Sequence, residues 1–334
     1  MVCFGEVLYR LTSPQNELFL QSPALTVHVG GAEANVAVAL AQLGHQSSVV
    51  TVLPDNSLGL AALGELRRRG VGTDSIRLAP GRMGLYFLAA GAGLRPSEVL
   101  YDRADSAFAL AAPEIFDWGQ LLAGAGGLHV SGITAAVSAT AAESALRAVR
   151  TARSLGLSVS FDCNYRAKLW DRWQGDARAI LREIIGEADL LFAEQRDMAL
   201  ILDRDFNSLP AENRFRAAAS AALETFPRLR RIATTVRVQR NVDDHDLSAA
   251  MMTRDNLLTT RQYSLGRIVE RIGSGDAFAA GVLHGLRSGL DDRETLDFGL
   301  AAACLKHSIP GDFNLAGVAD VQNLLHAADF AVRR

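Results

Sequence analysis

The chain has 334 residues, 49% of them apolar, and a formal net charge of −3. That is enough apolar material for one large packed domain, and so small a charge argues against nucleic acid or an anionic membrane as a partner. No apolar run reaches the roughly 18 residues of a membrane span. The start, Met1-Val2-Cys3-Phe4-Gly5-Glu6, lacks the basic and long apolar stretches of a signal peptide, so a cytoplasmic location is expected.

In chain order, short apolar strands alternate with amphipathic helices, the pattern of a mostly parallel sheet covered by helices. The strands are expected at Ser48–Leu53, Gly127–Val130, Leu157–Phe161, Asp189–Phe192 and Arg231–Thr235. Between them, Val36, Leu40 and Leu43 recur at helical spacing, as do Leu60, Leu63 and Leu66. Further helices are expected over Ala139–Leu155, Gly175–Gly186 and Ala277–Arg287. Two stretches, Glu17–Val29 and Arg82–Arg103, break the alternation and read as a small antiparallel sheet projecting from the α/β body. The polar stretch Gln239–Asp246 reads as a turn between strands. Cys3, Cys163 and Cys304 are odd in number and without metal-site or redox spacing, so buried thiols are expected. Lys168 and Lys306 are the only lysines, which leaves Arg and backbone amides to make most anion contacts.

Two segments carry chemistry. In Glu270-Arg-Ile-Gly273-Ser274-Gly275-Asp276, two glycines around one small residue let successive amides turn to one point, and a helical pattern follows at once. The helix dipole adds partial positive charge there, giving an anion hole suited to a phosphoryl group. Asp276 sits at its rim, where it could take a proton from an attacking hydroxyl; taken alone, the segment reads more readily as a helix N-cap after a glycine turn. In Gly30-Gly31-Ala32-Glu33-Ala34-Asn35, a glycine pair before an Ala-rich helix allows close approach of a ligand, and Asn35 offers both donors and an acceptor to hydroxyls. Alone, this too could be a tightly packed turn.

Together and in this order, the two segments resemble the paired signatures of the ribokinase-like (PfkB) carbohydrate kinases. Pro54-Asp55-Asn56-Ser57-Leu58-Gly59 resembles a third landmark of that family. The resemblance runs from Phe4-Gly5-Glu6 to Gly311-Asp312-Phe313-Asn314. It implies one domain over 1–334, a doubly wound α/β sheet with a β-sheet lid at about 8–29 and 82–103. It also implies ATP with Mg²⁺ as cofactors, with K⁺ as a candidate activator, and a homodimer formed through the lid. Asp276 becomes the base, and Gly273, Ser274 and Gly275 the anion hole.

Three further segments resemble one subgroup, the 2-keto-3-deoxygluconate kinases. They are Arg95–Arg103, Phe161–Trp170 and His307–Asn314. A sugar acid calls for Arg and hydroxyl donors around its carboxylate. Arg103 and Arg166, with Tyr86 and Tyr101, are the groups expected there, beside Gly30, Gly31 and Asn35. Either Arg could instead serve a surface salt bridge or the phosphates, and the tyrosines could be core. The resemblance places Asn164, Arg166, Thr235, Arg237, His307 and Asn314 on the nucleotide side. The phosphoryl group would go to the terminal (6-) hydroxyl. The alternatives are another sugar acid, fructose or a nucleoside as acceptor, or a sugar-binding relative without activity.

Two departures stand out. The family's N-x-x-E motif is here Glu194-Gln195-Arg196-Asp197, and the acid three residues before the anion hole, usually Asp, is Glu270. Carboxyl groups persist at Glu194, Asp197 and Glu270, which the resemblance assigns to Mg²⁺ held through water.

Overall fold

A computed structural model describes residues 1–326. The body is a ten-stranded sheet. From one edge its main path runs Leu257–Thr259, His245–Thr253, Arg231–Gln239, Leu190–Phe192, Ser158–Asp162, Gly127–Ser131, Val2–Phe4, Ser48–Pro54 and Ile76–Ala79. Tyr263–Leu265 pairs beside them with His245–Thr253. From Ile76–Ala79 to Arg231–Gln239 all neighbours are parallel; only the end that begins with the Arg231–Gln239/His245–Thr253 hairpin is antiparallel. This is the ribokinase-like arrangement.

Its strands are apolar on both faces because both faces are covered. Along Ser48–Pro54, Val50 and Val52 join one core and Val49 and Leu53 the other; Phe4 and Cys3 divide in the same way. The first core is closed by the helix Ala139–Ser154, whose Ala145, Ala148 and Val149 face the sheet. The second is closed by the helices Ala32–Gln42 and Ser274–Arg287, which also pack against each other. All three cysteines are buried free thiols.

A separate four-stranded sheet has the order Thr26–Gly30, Leu8–Thr12, Gly84–Ala89, Glu98–Asp102. It is not antiparallel throughout, because Leu8–Thr12 and Gly84–Ala89 run parallel. Between those two the chain passes back through the body, and such a long crossover is what a parallel pair requires. Within Glu17–Val29 only Thr26–Gly30 is strand; turns and bends precede it. The helix expected at Ala277 begins at Ser274, and the one expected at Gly175 begins at Ala177, where the Asp176 carboxylate caps the Ala179 amide at 2.9 Å.

Candidate active site

Gly273 caps the helix Ser274–Arg287 with φ +77°, and a Cβ there would lie 2.1 Å from the Asp312 carbonyl oxygen. Only glycine fits that turn. Asp276 falls in the first turn of the helix but does not cap it. Its Oδ2 instead accepts a hydrogen bond from Asn35 Nδ2 at 2.6 Å. Asn35 is held by the other glycine turn: Gly31 has φ +140°, a Cβ on it would meet the Glu6 carbonyl at 2.2 Å, and the Asn35 amide donates to the Gly31 carbonyl at 2.7 Å. Burial pushes the Asp276 carboxyl up to about 7; the Asn35 hydrogen bond opposes this, while Glu33 and Asp312 add to it. A carboxylate poised near neutrality suits a general base.

These groups open on a cavity of about 410 Å³ between the small sheet and the C-terminal ends of the parallel strands, where open α/β sheets bind ligands. Gly31, Asn35, Tyr86, Tyr101 and Arg103 line it from the small sheet and the first turn, and Arg166 lines it from the start of the helix Ala167–Trp173 in the body. Gly273, Ser274, Gly275 and Asp276 form its floor, and Asn164, Glu194, Asp197, Thr235 and Arg237 continue it. Asn35 Oδ1 is buried with no hydrogen-bond partner among the described residues, an acceptor left for a ligand hydroxyl.

Gly30, Glu270, His307 and Asn314 stand behind the wall. Gly30 backs on Asp312, whose Oδ2 leaves no room for a Cβ. Glu270 is engaged within the protein: Oε2 pairs with Arg10 Nη1 at 2.7 Å, and Oε1 accepts from the Arg271 and Ile272 amides at 3.0 Å. His307 is buried on the Ala303 carbonyl, and Asn314 Oδ1 holds the Ala316 amide. Glu270 and His307 thus lie beneath the turn, outside the lining of the cavity.

Two lining groups are already engaged. Arg103 Nε donates to Glu6 Oε2 at 2.6 Å, with both residues buried, so its two terminal nitrogens are what remain for a ligand. The Tyr86 hydroxyl donates to Asp312 Oδ2 at 2.8 Å and can offer a ligand only its oxygen lone pair. Arg166, by contrast, is exposed at the rim.

Asp162, Arg271 and Asp312 also line the cavity without having been assigned a role from sequence. For Asp162 a signal existed: it is the polar residue that ends a core strand at the ligand-binding edge of the sheet. Burial pushes its carboxyl up to about 8, with the negative charges of Asp276 and Asp197 adding to the shift. Asp197 is raised for the same first reason. The altered Glu194–Asp197 motif keeps its local job, since the Glu194 amide donates to Asp197 Oδ2 at 2.8 Å and so closes the first turn of the helix Gln195–Leu202.

Among the described residues no three His, Cys, Asp or Glu side chains converge as a direct metal site. Asp162, Asp197 and Glu194 nevertheless turn oxygen donors to one cavity, Glu194 in an ion pair with Arg196 at 2.9 Å and the first two raised by burial, and a hydrated Mg²⁺ that favoured their ionised forms would fit such a set. Arg166, Arg196, Arg237 and Arg271 line the same space, opposite in sign and matched to phosphates.

A pfkB family carbohydrate kinase profile matches residues 1–314. The chain belongs to the pfkB family of carbohydrate kinases: it is an ATP-dependent sugar kinase. It is 32% identical to a 2-dehydro-3-deoxygalactonokinase of Haloferax volcanii over 100% of this chain and 99% of that one. It is 28% identical to a 2-dehydro-3-deoxygluconokinase of Thermoproteus tenax, over 93% and 89% of the two chains. The crystal structure of a 2-dehydro-3-deoxygluconokinase from Thermotoga maritima superposes with a TM-score of 0.92 at 36% identity, covering 97% of this chain and 98% of that one.

Proposed function

We propose that this kinase transfers the γ-phosphoryl group of ATP to the 6-hydroxyl of 2-keto-3-deoxygluconate. The observation that carries the reading is the Asn35–Asp276 pair set beside the Gly273–Gly275 turn in a cavity walled by arginines. Asp276 takes the hydroxyl proton on Oδ1 while Asn35 holds Oδ2, and the Gly273–Gly275 amides receive the charge on the transferring group. The terminal nitrogens of Arg103, with Arg166 and Tyr101, clamp the sugar carboxylate. Arg237 and Arg271 serve the phosphates, with Thr235 and Asn164 beside them. Mg²⁺, held through water by Asp162, Asp197 and Glu194, would neutralise the phosphate oxygens. The small sheet acts as the lid over the sugar, and 1–334 as one functional unit.

A second reading is favoured by the Haloferax relative, whose name specifies the galactono epimer. In that reading the acceptor is the C4 epimer, taken instead of or together with the gluconate sugar. The test is ADP release from MgATP with 2-keto-3-deoxygluconate, its C4 epimer, fructose, ribose and gluconate. Turnover confined to keto-deoxy acids supports the proposal, and the ratio of the two epimers decides between the readings. Turnover on a neutral sugar alone would remove Arg103 and Arg166 as carboxylate clamps.

A further inference from the structure

Lys306, one of two lysines in a chain that otherwise uses arginine, is completely buried at the C-terminal end of the helix Asp292–Lys306. Its Cε lies 3.3 Å from where a Gly273 Cβ would stand, so the side chain packs against the back of the anion-hole turn. Its ammonium, which carries three N–H donors, donates to the Ile309 carbonyl at 2.8 Å and has no carboxylate within ion-pair distance among the described residues. A buried ammonium is costly to keep and needs a reason.

The surroundings supply one. Arg10, buried on the small sheet, bridges Glu270 (2.7 Å) and Asp312 (2.8 Å), two carboxylates that flank the turn on either side. One guanidinium against two carboxylates leaves one negative charge behind a hole that must receive a phosphoryl group. Lys306 brings the cluster to neutrality. Burial lowers the lysine to about 8, while Glu270, Asp312 and Asp276 hold it up against that and against Arg10, so it stays charged at neutral pH. His28 and His307, the other titratable neighbours, are lowered and neutral there.

We propose that Lys306 is a positioning residue for phosphoryl transfer: its fixed ammonium braces the Gly273 turn from behind and cancels the excess negative charge of Glu270 and Asp312. The inference rests on the reading of Gly273–Asp276 as the transfer site. Charge placed behind backbone amides in a dry interior acts most when the phosphoryl group gathers negative charge, so kcat should carry the effect and KM should not.

The experiment compares wild type, Lys306→Met, Lys306→Ala and Asp276→Asn with MgATP and the accepted sugar acid, in tetramethylammonium chloride with or without NH₄Cl or KCl. Wild type should turn over equally in all salts, because its own ammonium fills the position. Lys306→Met should lose at least about tenfold in kcat with KM values near wild type. Lys306→Ala should lose as much and recover part of it with NH₄⁺ or K⁺, but not with tetramethylammonium. A structural role alone would not produce that rescue. Wild-type kcat in Lys306→Met, a change confined to KM, activation of the wild type by K⁺ or NH₄⁺, or failure of both variants to fold would each overturn the proposal. If Asp276→Asn keeps its turnover, the reading of the site has failed. If Asp276→Asn is dead while Lys306→Met is unaffected, only this inference has.

Discussion

Asn35 and Asp276 stand 241 residues apart in sequence and share a hydrogen bond of 2.6 Å. One begins the helix after Gly31, the other the helix after Gly273, and the two helices pack side by side. The bond therefore joins the two glycine turns into one site and leaves one carboxylate oxygen of Asp276 without a protein partner among the described residues. It also sets the orientation of the amide, because an ionised carboxylate can only accept.

Asp276→Asn should fold as wild type and lose at least about a hundredfold in kcat. In the wild type, kcat/KM should fall as pH drops through about 7, where the carboxylate takes up its proton. A pH profile flat from 6 to 8, with a chemical step shown to be rate-limiting, would remove Asp276 as the base.

Arg103 and Glu6 form a buried pair, so Arg103→Leu does two things at once. It removes a carboxylate clamp, and it strands Glu6, at a cost of about 3–5 kcal/mol in stability. The two effects separate in a double-mutant cycle. Adding Glu6→Gln to Arg103→Leu should restore part of the melting temperature while the KM for the sugar acid stays high and the KM for ATP changes little. Recovery of both together would mean that Arg103 serves only to hold Glu6.

Asp197→Asn should raise the Mg²⁺ concentration needed for half-maximal rate while leaving the sugar KM nearly unchanged. An asparagine oxygen can still accept from the Glu194 amide, so the helix start should survive and the melting temperature should move little. An unchanged Mg²⁺ requirement would place the ion elsewhere.

What the sequence made legible follows what is local. Alternating apolar strands announced the parallel sheet, and the two glycine turns announced themselves through residues that tolerate positive φ and close backbone contact. The partner of each charged side chain was not legible. Arg103 was legible as an arginine at the cavity, but its pairing with Glu6, 97 residues away, depends on how the small sheet docks. The family resemblance assigned Glu270 to the metal, but its pairing with Arg10, which comes from a strand at the other end of the chain, could not be read from either segment. The parallel pairing of Leu8–Thr12 with Gly84–Ala89 was hidden for the same reason, since strand pairing across a long crossover leaves no mark in either strand.

The acidic crowding at Asp162 gives a prediction about stability. Its carboxyl ordinarily titrates at 3.8 and is pushed up to about 8 here, first by burial and then by Asp276 and Asp197. The folded protein thus holds a proton that the unfolded chain has released, so this stabilising contribution is full at acid pH and is lost as pH rises through about 8. Asparagine cannot ionise and resembles the protonated acid in shape. Asp162→Asn should therefore gain in melting temperature relative to wild type between pH 6.5 and 8.5. The buried histidines His129, His245, His284 and His307 are all lowered and titrate below that window. Lys306, lowered to about 8, acts on both proteins and cancels in the difference. Saturating MgCl₂ with a non-hydrolysable ATP analogue should shrink the gap, because a cation near Asp162 favours its ionised form in the wild type. A melting-temperature difference independent of pH would mean that Asp162 is ionised throughout, and that the charge a metal was expected to relieve is already balanced by Arg166.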